Sequence, residues 1–120
     1  MKILIADDNE MNRSLIVALL QRKGHEALEA EDGAQAVKLA KEHIPVLIIM
    51  DIQMPVLDGI SALRMLRADE STKKIPVIAV TSYAMKGDRE KFLSEGFDGY
   101  ISKPININEV GKFIEQYIKK

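Results

Sequence analysis

The stretch that most constrains the fold of this chain is VLIIMDIQMPVLDG, which runs from Val46 to Gly59. Its first five residues are apolar without alternation, a pattern typical of a strand covered on both faces in a parallel sheet. Asp51 follows where that strand ends. Open α/β sheets bind their ligands at the carboxyl ends of the strands, so Asp51 lies where chemistry is expected. A polar residue that only ends a strand is the simpler interpretation, and the other strand ends decide between the two.

Length and composition limit the classes of protein to which this chain can belong. At 120 residues, 47% of them hydrophobic, the sequence predicts one independently folding domain over residues 1–120. The 17 Lys and Arg nearly balance the 18 Asp and Glu, for a net charge of -1, which argues against direct contact with nucleic acid or a membrane surface. The sequence has no cysteine, no signal-like start and no transmembrane run. We therefore expect a cytoplasmic protein.

Apolar runs alternate with segments of helical periodicity along the chain. Strands are predicted at residues 3–6, 25–30, 46–50, 76–80 and around 100–101. Five helices are predicted to begin after Asn9, at Asp32, at Asp58, near Met85 and at the capping-box pattern Asn106 to Glu109. The apolar stripe of the first helix consists of Met11, Leu15, Ile16, Leu19 and Leu20. Such alternation predicts an α/β fold, with helices on both faces of a parallel sheet.

Functional side chains follow or end four of the five predicted strands. They are Asp7 and Asp8 after the first, Asp51 after the third, Thr81 after the fourth and Lys103 after the fifth. Right-handed crossovers bring these strand ends to one edge of the sheet. Each residue alone has a structural explanation, as a helix cap, a helix start or a solvated lysine beside a proline turn. Their coincidence at one edge favours a functional cluster.

The predicted cluster implies a particular chemistry. Three carboxylates at one edge repel one another, and they persist together near neutral pH mainly by sharing a cation. Oxygen ligands without His or Cys select a hard ion such as Mg²⁺, which takes one or two carboxylates and leaves one free as a nucleophile. Attack of that carboxylate on a phosphoryl group gives an acyl phosphate. The metal, a lysine and a hydroxyl then neutralise the transferred charge.

Four motifs carry a resemblance to a known family, and in chain order they are ILIADDNEMN, MDIQMPVLDG, VIAVTSYAMKGD and GYISKPI. Along essentially its whole length the chain resembles the receiver domain of two-component response regulators. The resemblance implies a flavodoxin-like (βα)5 fold, a doubly wound parallel sheet with strand order 2-1-3-4-5. It also implies that Asp51 is phosphorylated.

The resemblance further implies how Mg²⁺ is bound beside Asp51. The acidic pair Asp7 and Asp8 helps to bind the ion, and Asp8 is a direct ligand. Gln53 contributes its backbone carbonyl. The expected metal ligands are therefore Asp7, Asp8, Asp51 and Gln53.

The remaining roles implied by the resemblance concern catalysis and switching. Thr81 and Lys103 match the hydroxyl and lysine of the family pattern, and the Lys103 to Pro104 bond matches its cis peptide. Tyr100 matches the switch aromatic, which turns from a solvent-facing to an inward rotamer on activation. The face formed by the fourth helix, fifth strand and fifth helix then differs between the two states.

Partners are also implied by the resemblance. The phosphoryl donor is expected to be a sensor histidine kinase or a histidine phosphotransfer protein, and the output a downstream protein target. Because no further domain follows the last helix in this sequence, we expect output by protein contact. The chain is expected to catalyse only its own phosphorylation and dephosphorylation. The motifs are most similar to those of stand-alone cell-cycle receivers and receivers of hybrid kinases, and a phosphate carrier in a multistep phosphorelay is the alternative function.

Three other classes of protein share parts of this pattern. A phosphatase of the haloacid dehalogenase kind also uses an aspartate nucleophile, but in a DxD pattern after the first strand, where this chain has adjacent Asp7 and Asp8. A flavodoxin needs a first loop that cradles phosphate, and this loop is acidic. An interaction module that has lost phosphorylation would be expected to lack Asp51 or Lys103, and both are present.

Overall fold

Five parallel strands form one sheet in the computed structural model of the chain, which describes residues 2–82 and 88–118 except the side chains of 88 and 89. The strands are β1 (Lys2–Ala6), β2 (Glu26–Ala30), β3 (Leu47–Asp51), β4 (Val77–Thr81) and β5 (Gly99–Ser102). Their order across the sheet is β2-β1-β3-β4-β5. The doubly wound fold and strand order predicted from the sequence are therefore confirmed.

A helix follows each strand. The helices are α1 (Glu10–Arg22), α2 (Gly33–His43), α3 (Gly59–Ala68), α4 (Asp88–Glu95) and α5 (Ile107–Tyr117). The predicted beginning of the fourth helix near Met85 lies outside the described residues. Within the described ranges, no helix combines the length and the apolar character needed to cross a lipid bilayer.

Short polar side chains begin α1, α2, α3 and α5, as the sequence predicts. Backbone N–H groups of the first turn are accepted by the side chains of Asn9, Asp32 and Asp58. Asn106 begins α5, but its side chain accepts the N–H of Asn108 at 2.8 Å and not that of Glu109. The Glu109 N–H instead donates to the backbone carbonyl of Asn106 at 3.1 Å. The predicted capping box is therefore wrong in its bonding, although the helix begins where expected.

The sheet divides the core into two apolar layers. Ile48 and Met50 of β3 face the layer that contains buried side chains of α2, α3 and α4. Leu47 and Ile49 face the layer that contains buried side chains of α1 and α5. All residues of β3 are buried, as the apolar run predicts. This fully enclosed central strand places Asp51 at the edge of the sheet formed by the carboxyl ends of the strands.

The apolar stripe predicted for α1 is buried only in part. Ile16, Leu19 and Leu20 pack in the core, whereas Met11 is 82% and Leu15 is 45% exposed. Helical spacing determines which side chains share a face, but the neighbouring elements determine how much of that face they cover. An apolar strip of α1 is therefore left at the surface.

Alanine substitutions at two helical glycines are predicted to change the free energy of unfolding in opposite directions. A Cβ added at Gly33 would overlap the backbone carbonyl of Leu57, whereas one added at Gly111 would meet Lys23 Cε at 3.8 Å, an ordinary contact. We expect Gly33→Ala to lower the free energy of unfolding by about 1–3 kcal/mol, because backbone has to shift. Gly111→Ala should raise it by about 0.5–1 kcal/mol, because alanine loses less conformational entropy in a helix. Urea denaturation measures both values, and a neutral Gly33→Ala would contradict the close approach of Leu57.

Candidate functional site

The carboxyl edge of the sheet gathers the side chains that the sequence predicts to form a site. Asp7 follows β1, and Asp51 and Thr81 are the last residues of β3 and β4. Lys103 follows β5, and its peptide bond to Pro104 is cis, as predicted. Because all paired strands are parallel, these ends meet at one edge.

Three carboxylates meet at this edge. Asp7, Asp8 and Asp51 each offer one oxygen, and these oxygens lie within 4.8 Å of one another. Asp7 and Asp51 are each 2% exposed, whereas Asp8 is on the surface. Hard divalent cations such as Mg²⁺ prefer carboxylate oxygens. The donor set therefore fits Mg²⁺, with Asp8 on the side open to solvent.

Lys103 contacts two of these carboxylates. Its Nζ lies 2.9 Å from Asp51 Oδ2 and 3.5 Å from Asp7 Oδ2. The second oxygen of Asp51, Oδ1, accepts the backbone N–H of Gln53 at 3.2 Å. Because one ammonium is shared by both carboxylates, it offsets part of their mutual repulsion. Lys103 thus connects the end of β5 to the ends of β1 and β3.

Burial and charge act in opposite directions on the pKa values of this pair. Desolvation is the largest influence on Asp51 and raises its pKa, and the charge of Asp7 adds to this, while the hydrogen bond from Lys103 opposes it; the net pKa lies above 3.8. For Lys103, partial burial lowers the pKa, but the hydrogen bond and charge of Asp51 outweigh it, so the net pKa is raised. The site therefore holds a poorly solvated carboxylate beside a firmly charged ammonium.

The loop between β3 and α3 turns tightly against Asp51. A Cβ added at Gly59 would overlap the backbone carbonyl of Asp51, so glycine is required by this approach. Leu57 N donates to Pro55 O at 2.7 Å, which closes a γ-turn around Val56. Val56 has a φ of 69° and is 82% exposed, and positive φ is strained for a β-branched residue. A valine in the sequence gives no signal for this strained backbone.

Thr81 and Tyr100 lie on the same face of the sheet. The register pairs Tyr100 with Ala79, and Thr81 is two residues beyond Ala79 on β4. Thr81 is buried, and its carbonyl accepts the backbone N–H of Lys103 at 2.8 Å. The Tyr100 ring is half-buried and stacks on Phe92 of α4, with ring centroids 5.8 Å apart. The tyrosine that the resemblance implies to face solvent before activation is therefore only partly exposed.

A buried cation beside the acidic pair was not predicted from the sequence. Arg13 of α1 is 8% exposed, and it donates to the backbone carbonyl of Asp7 at 2.7 Å and to the Glu29 carboxylate at 3.2 Å. A signal for it exists, because Arg13 lies three and seven positions before Ile16 and Leu20, on the buried stripe of α1. A charged side chain in such a position indicates a specific partner.

A class of protein is defined by this fold together with the cluster at its edge. The family model of the response regulator receiver domain matches residues 3–115. The chain belongs to this family of receiver domains. It is therefore a receiver of two-component signal transduction.

Similarity to known members extends over nearly the whole chain. The polar-differentiation response regulator DivK of Brucella ovis is 42% identical over 116 residues, which are 97% of this chain and 94% of that protein. The receiver domain of sensor histidine kinase PA1611 of Pseudomonas aeruginosa, with a magnesium ion coordinated in its active-site cleft, has a TM-score of 0.89 and 38% identity and covers 99% of this chain and 98% of its own. A co-crystal structure of the Saccharomyces cerevisiae histidine phosphotransfer protein Ypd1 with the receiver domain of Ssk1 matches with a TM-score of 0.88 and 29% identity, over 98% of this chain and 88% of that chain.

The raised pKa of Asp51 predicts how stability depends on pH. The native state binds the Asp51 proton more tightly than the unfolded chain, so stability falls as pH rises from 3.8 through the folded-state pKa. Without Mg²⁺, Asp51→Asn should therefore raise the thermal midpoint at neutral pH, and the gain should vanish as pH falls towards 3.8.

Asp69→Asn is the matched control for this prediction. Hydrogen bonds from Ser71 lower the pKa of Asp69 below 3.8. The ionised Asp69 carboxylate therefore stabilises the native state above pH 3.8, and this stabilisation is lost as the pH falls through the lowered pKa. Asp69→Asn should therefore slightly lower the thermal midpoint at neutral pH. Thermal scans in EDTA between pH 3 and pH 7 compare the variants, and a lower midpoint for Asp51→Asn at neutral pH would contradict the prediction.

Proposed function

We propose that this receiver domain, formed by residues 1–120, accepts a phosphoryl group on Asp51. The observation that supports this most directly is the position of the carboxylate at the end of β3, within 4.8 Å of oxygens of Asp7 and Asp8 and 2.9 Å from Lys103 Nζ. An oxygen of Asp51 bonds to phosphorus while the bond from phosphorus to the donor's histidine nitrogen breaks, and that nitrogen keeps the electron pair. The product is an acyl phosphate. The domain catalyses only its own phosphorylation and dephosphorylation.

The same edge has the residues to hold Mg²⁺. The carboxylates of Asp7, Asp8 and Asp51 and the backbone carbonyl of Gln53 are the oxygen donors that this ion prefers. When bound, the ion supplies positive charge to the phosphoryl oxygens. Asp7 and Asp51 are buried and fixed by hydrogen bonds, and exposed Asp8 is placed to meet an entering ion. The magnesium ion in the 38% identical PA1611 receiver supports this assignment.

Lys103 and Thr81 are proposed to stabilise the transferred phosphoryl group. The ammonium of Lys103 already lies 2.9 Å from Asp51 Oδ2, and phosphorylation adds negative charge and acceptor oxygens there. The ammonium then pairs with a phosphoryl oxygen in a charge-assisted hydrogen bond. Thr81 ends the neighbouring strand, from which its hydroxyl donates to another of these oxygens. Both groups act where charge develops during transfer.

The exposed strip of α1 is the proposed docking surface for the phosphodonor. α1 begins at Glu10, directly after the acidic loop, and its surface there is lined by Met11, Ser14, Leu15 and Ala18. Met11 and Leu15 lie one helical turn apart, so their apolar side chains form one strip. This strip suits apolar side chains of a histidine kinase or phosphotransfer protein that presents its phosphohistidine to Asp51. The complex of Ypd1 with a 29% identical receiver supports a donor of this kind.

Asp51 should be the phosphorylated residue in a chemical assay. With acetyl phosphate or phosphoramidate and Mg²⁺, the chain should gain one acid-stable, base-labile phosphoryl group, and Asp51→Asn should prevent the gain. Asp58→Asn is the matched control, because Asp58 lies on the same loop and caps α3, which asparagine also does well. Intact-mass measurement and peptide mapping give the result. A label on Asp7 or Asp8 would instead support the chemistry of a haloacid dehalogenase phosphatase.

Output is proposed to pass through the face formed by α4, β5 and α5. Thr81 and Tyr100 share one face of the sheet, and Tyr100 stacks on Phe92 of α4. When the Thr81 hydroxyl moves towards a phosphoryl group on Asp51, the space beside Tyr100 changes and so does its packing on α4. A downstream protein responds only as far as it binds the two states with unequal affinity. A difference of about 1–3 kcal/mol between the partner's binding free energies for the two states is ordinary for such coupling.

Beryllofluoride, a phosphoryl mimic, tests this switch. With Mg²⁺ it should shift amide NMR signals around Thr81 and from Tyr100 to Lys103, beyond its own contacts, and Thr81→Ala should confine the shifts to the surroundings of Asp51. Ser82→Ala removes the adjacent, exposed hydroxyl and should respond like the parent. If the mimic binds while the signals around Tyr100 stay unchanged, the domain is better described as a phosphate carrier in a multistep phosphorelay.

A further inference from the structure

Arg13 links the loop that carries the acidic pair to strand β2. Its guanidinium is 8% exposed, and Nη1 donates to Asp7 O at 2.7 Å while Nε donates to Glu29 Oε1 at 3.2 Å. Two donors of one planar group therefore fix the side chain between loop and strand. The carbonyl that Arg13 holds belongs to the peptide group that joins Asp7 to Asp8.

The orientation of this peptide group fixes the Cα of Asp8 and so limits the directions in which the Asp8 side chain can point. A peptide group is planar, so a hydrogen bond that fixes its carbonyl also fixes the position of the next Cα. Asp7 N donates to Ala30 O at 3.1 Å, and Asn9 N donates to Asp7 Oδ1 at 2.8 Å. Arg13 adds a third bond to this segment, from the side of α1. Asp8 itself is exposed, so its direction depends on this backbone support.

We propose that Arg13 is a positioning residue that sets the affinity of the site for Mg²⁺ by holding Asp8 towards Asp51. The inference rests on the metal site of the proposed function. Charge alone would give Arg13 the opposite effect, because a fixed cation near three carboxylates opposes an entering Mg²⁺. The carboxylate of Glu29 offsets part of that charge. Removal of Arg13 therefore has two opposed consequences, and the sign of the result separates positioning from electrostatics.

Mg²⁺ titrations of the metal-free protein test this, followed by amide NMR because the chain has no tryptophan. Arg13→Met should weaken Mg²⁺ binding by about 10-fold, the size of effect typical when a residue that orients a metal ligand is lost. Arg22→Met is the matched control, since Arg22 is exposed in the last turn of the same helix and carries the same charge. It should bind Mg²⁺ like the parent. Binding by Arg13→Met that equals or exceeds the parent's overturns the inference.

Two further readouts distinguish positioning from a general loss of structure. In the metal-free protein, exchange of the Asn9 amide should accelerate in Arg13→Met and stay unchanged in Arg22→Met, because the turn closed by Asp7 Oδ1 loses its support. Phosphorylation by acetyl phosphate should need more Mg²⁺ for its half-maximal rate and recover the parent's rate at saturation. A lower saturated rate with unchanged Mg²⁺ affinity would show a purely structural role and overturn the inference.

Arg13→Lys keeps the experiment decisive should the methionine variant fail to fold. Lysine keeps the charge and the aliphatic stem but does not reproduce the two-donor fork, so Mg²⁺ binding should still be weaker than in the parent. Parent-like binding by Arg13→Lys overturns the inference. If the parent itself binds no Mg²⁺, the proposed metal site is wrong, and the inference fails with it for that separate reason.

Discussion

Repulsion among the carboxylates of Asp7, Asp8 and Asp51 is the constraint on which the rest of the site depends. Their oxygens lie within 4.8 Å of one another, and burial raises the pKa of Asp51. Lys103 offsets part of this repulsion, since its ammonium contacts two of the three carboxylates. The repulsion that Lys103 does not offset destabilises the native state. Any cation that binds among the three carboxylates therefore stabilises the fold through mass action. On the proposed function, the protein thus keeps a destabilising cluster of negative charge that a bound Mg²⁺ relieves.

The sheet and its close backbone contacts keep these charges from moving apart. β3 is buried along its whole length between β1 and β4, so Asp51 cannot withdraw without breaking ladder hydrogen bonds. On the other side, α3 begins so near the Asp51 carbonyl that only glycine fits at Gly59. On β1, Asp7 N donates to Ala30 O of β2 and Arg13 holds the Asp7 carbonyl. Rigid surroundings therefore maintain a geometry that the charges alone would not adopt.

The sequence predicts the fold and the residues of the edge cluster because both follow from local patterns. Apolar runs and helical stripes identify the elements, and right-handed crossovers then bring the strand ends together. Features that depend on contacts between distant segments were not predictable in the same way. The exposure of Met11 and Leu15 depends on what covers α1. The positive φ of Val56 belongs instead to a local turn, for which a valine gives no sequence signal. Arg13 is predictable in part: the sequence places it on the buried stripe of α1, but it does not identify the groups to which its guanidinium donates.

Asp51 ends the central strand, between the layer that contains α1, where input is proposed to act, and the layer that contains α4, which is part of the proposed output face. α1 packs in the layer with α5, whereas Phe92 of α4 packs in the other layer. A change at Asp51 can cross to α4 through Lys103 or through Thr81. Lys103 N is bonded to Thr81 O, and the flexible side chain of Lys103 can follow a phosphoryl oxygen while this backbone bond stays in place. Thr81 has a short side chain with few rotamers, so in the proposed switch its hydroxyl approaches the phosphoryl group mainly through movement of its own segment. In the proposed switch, Thr81 is therefore the residue that transmits phosphorylation of Asp51 to the packing around Tyr100.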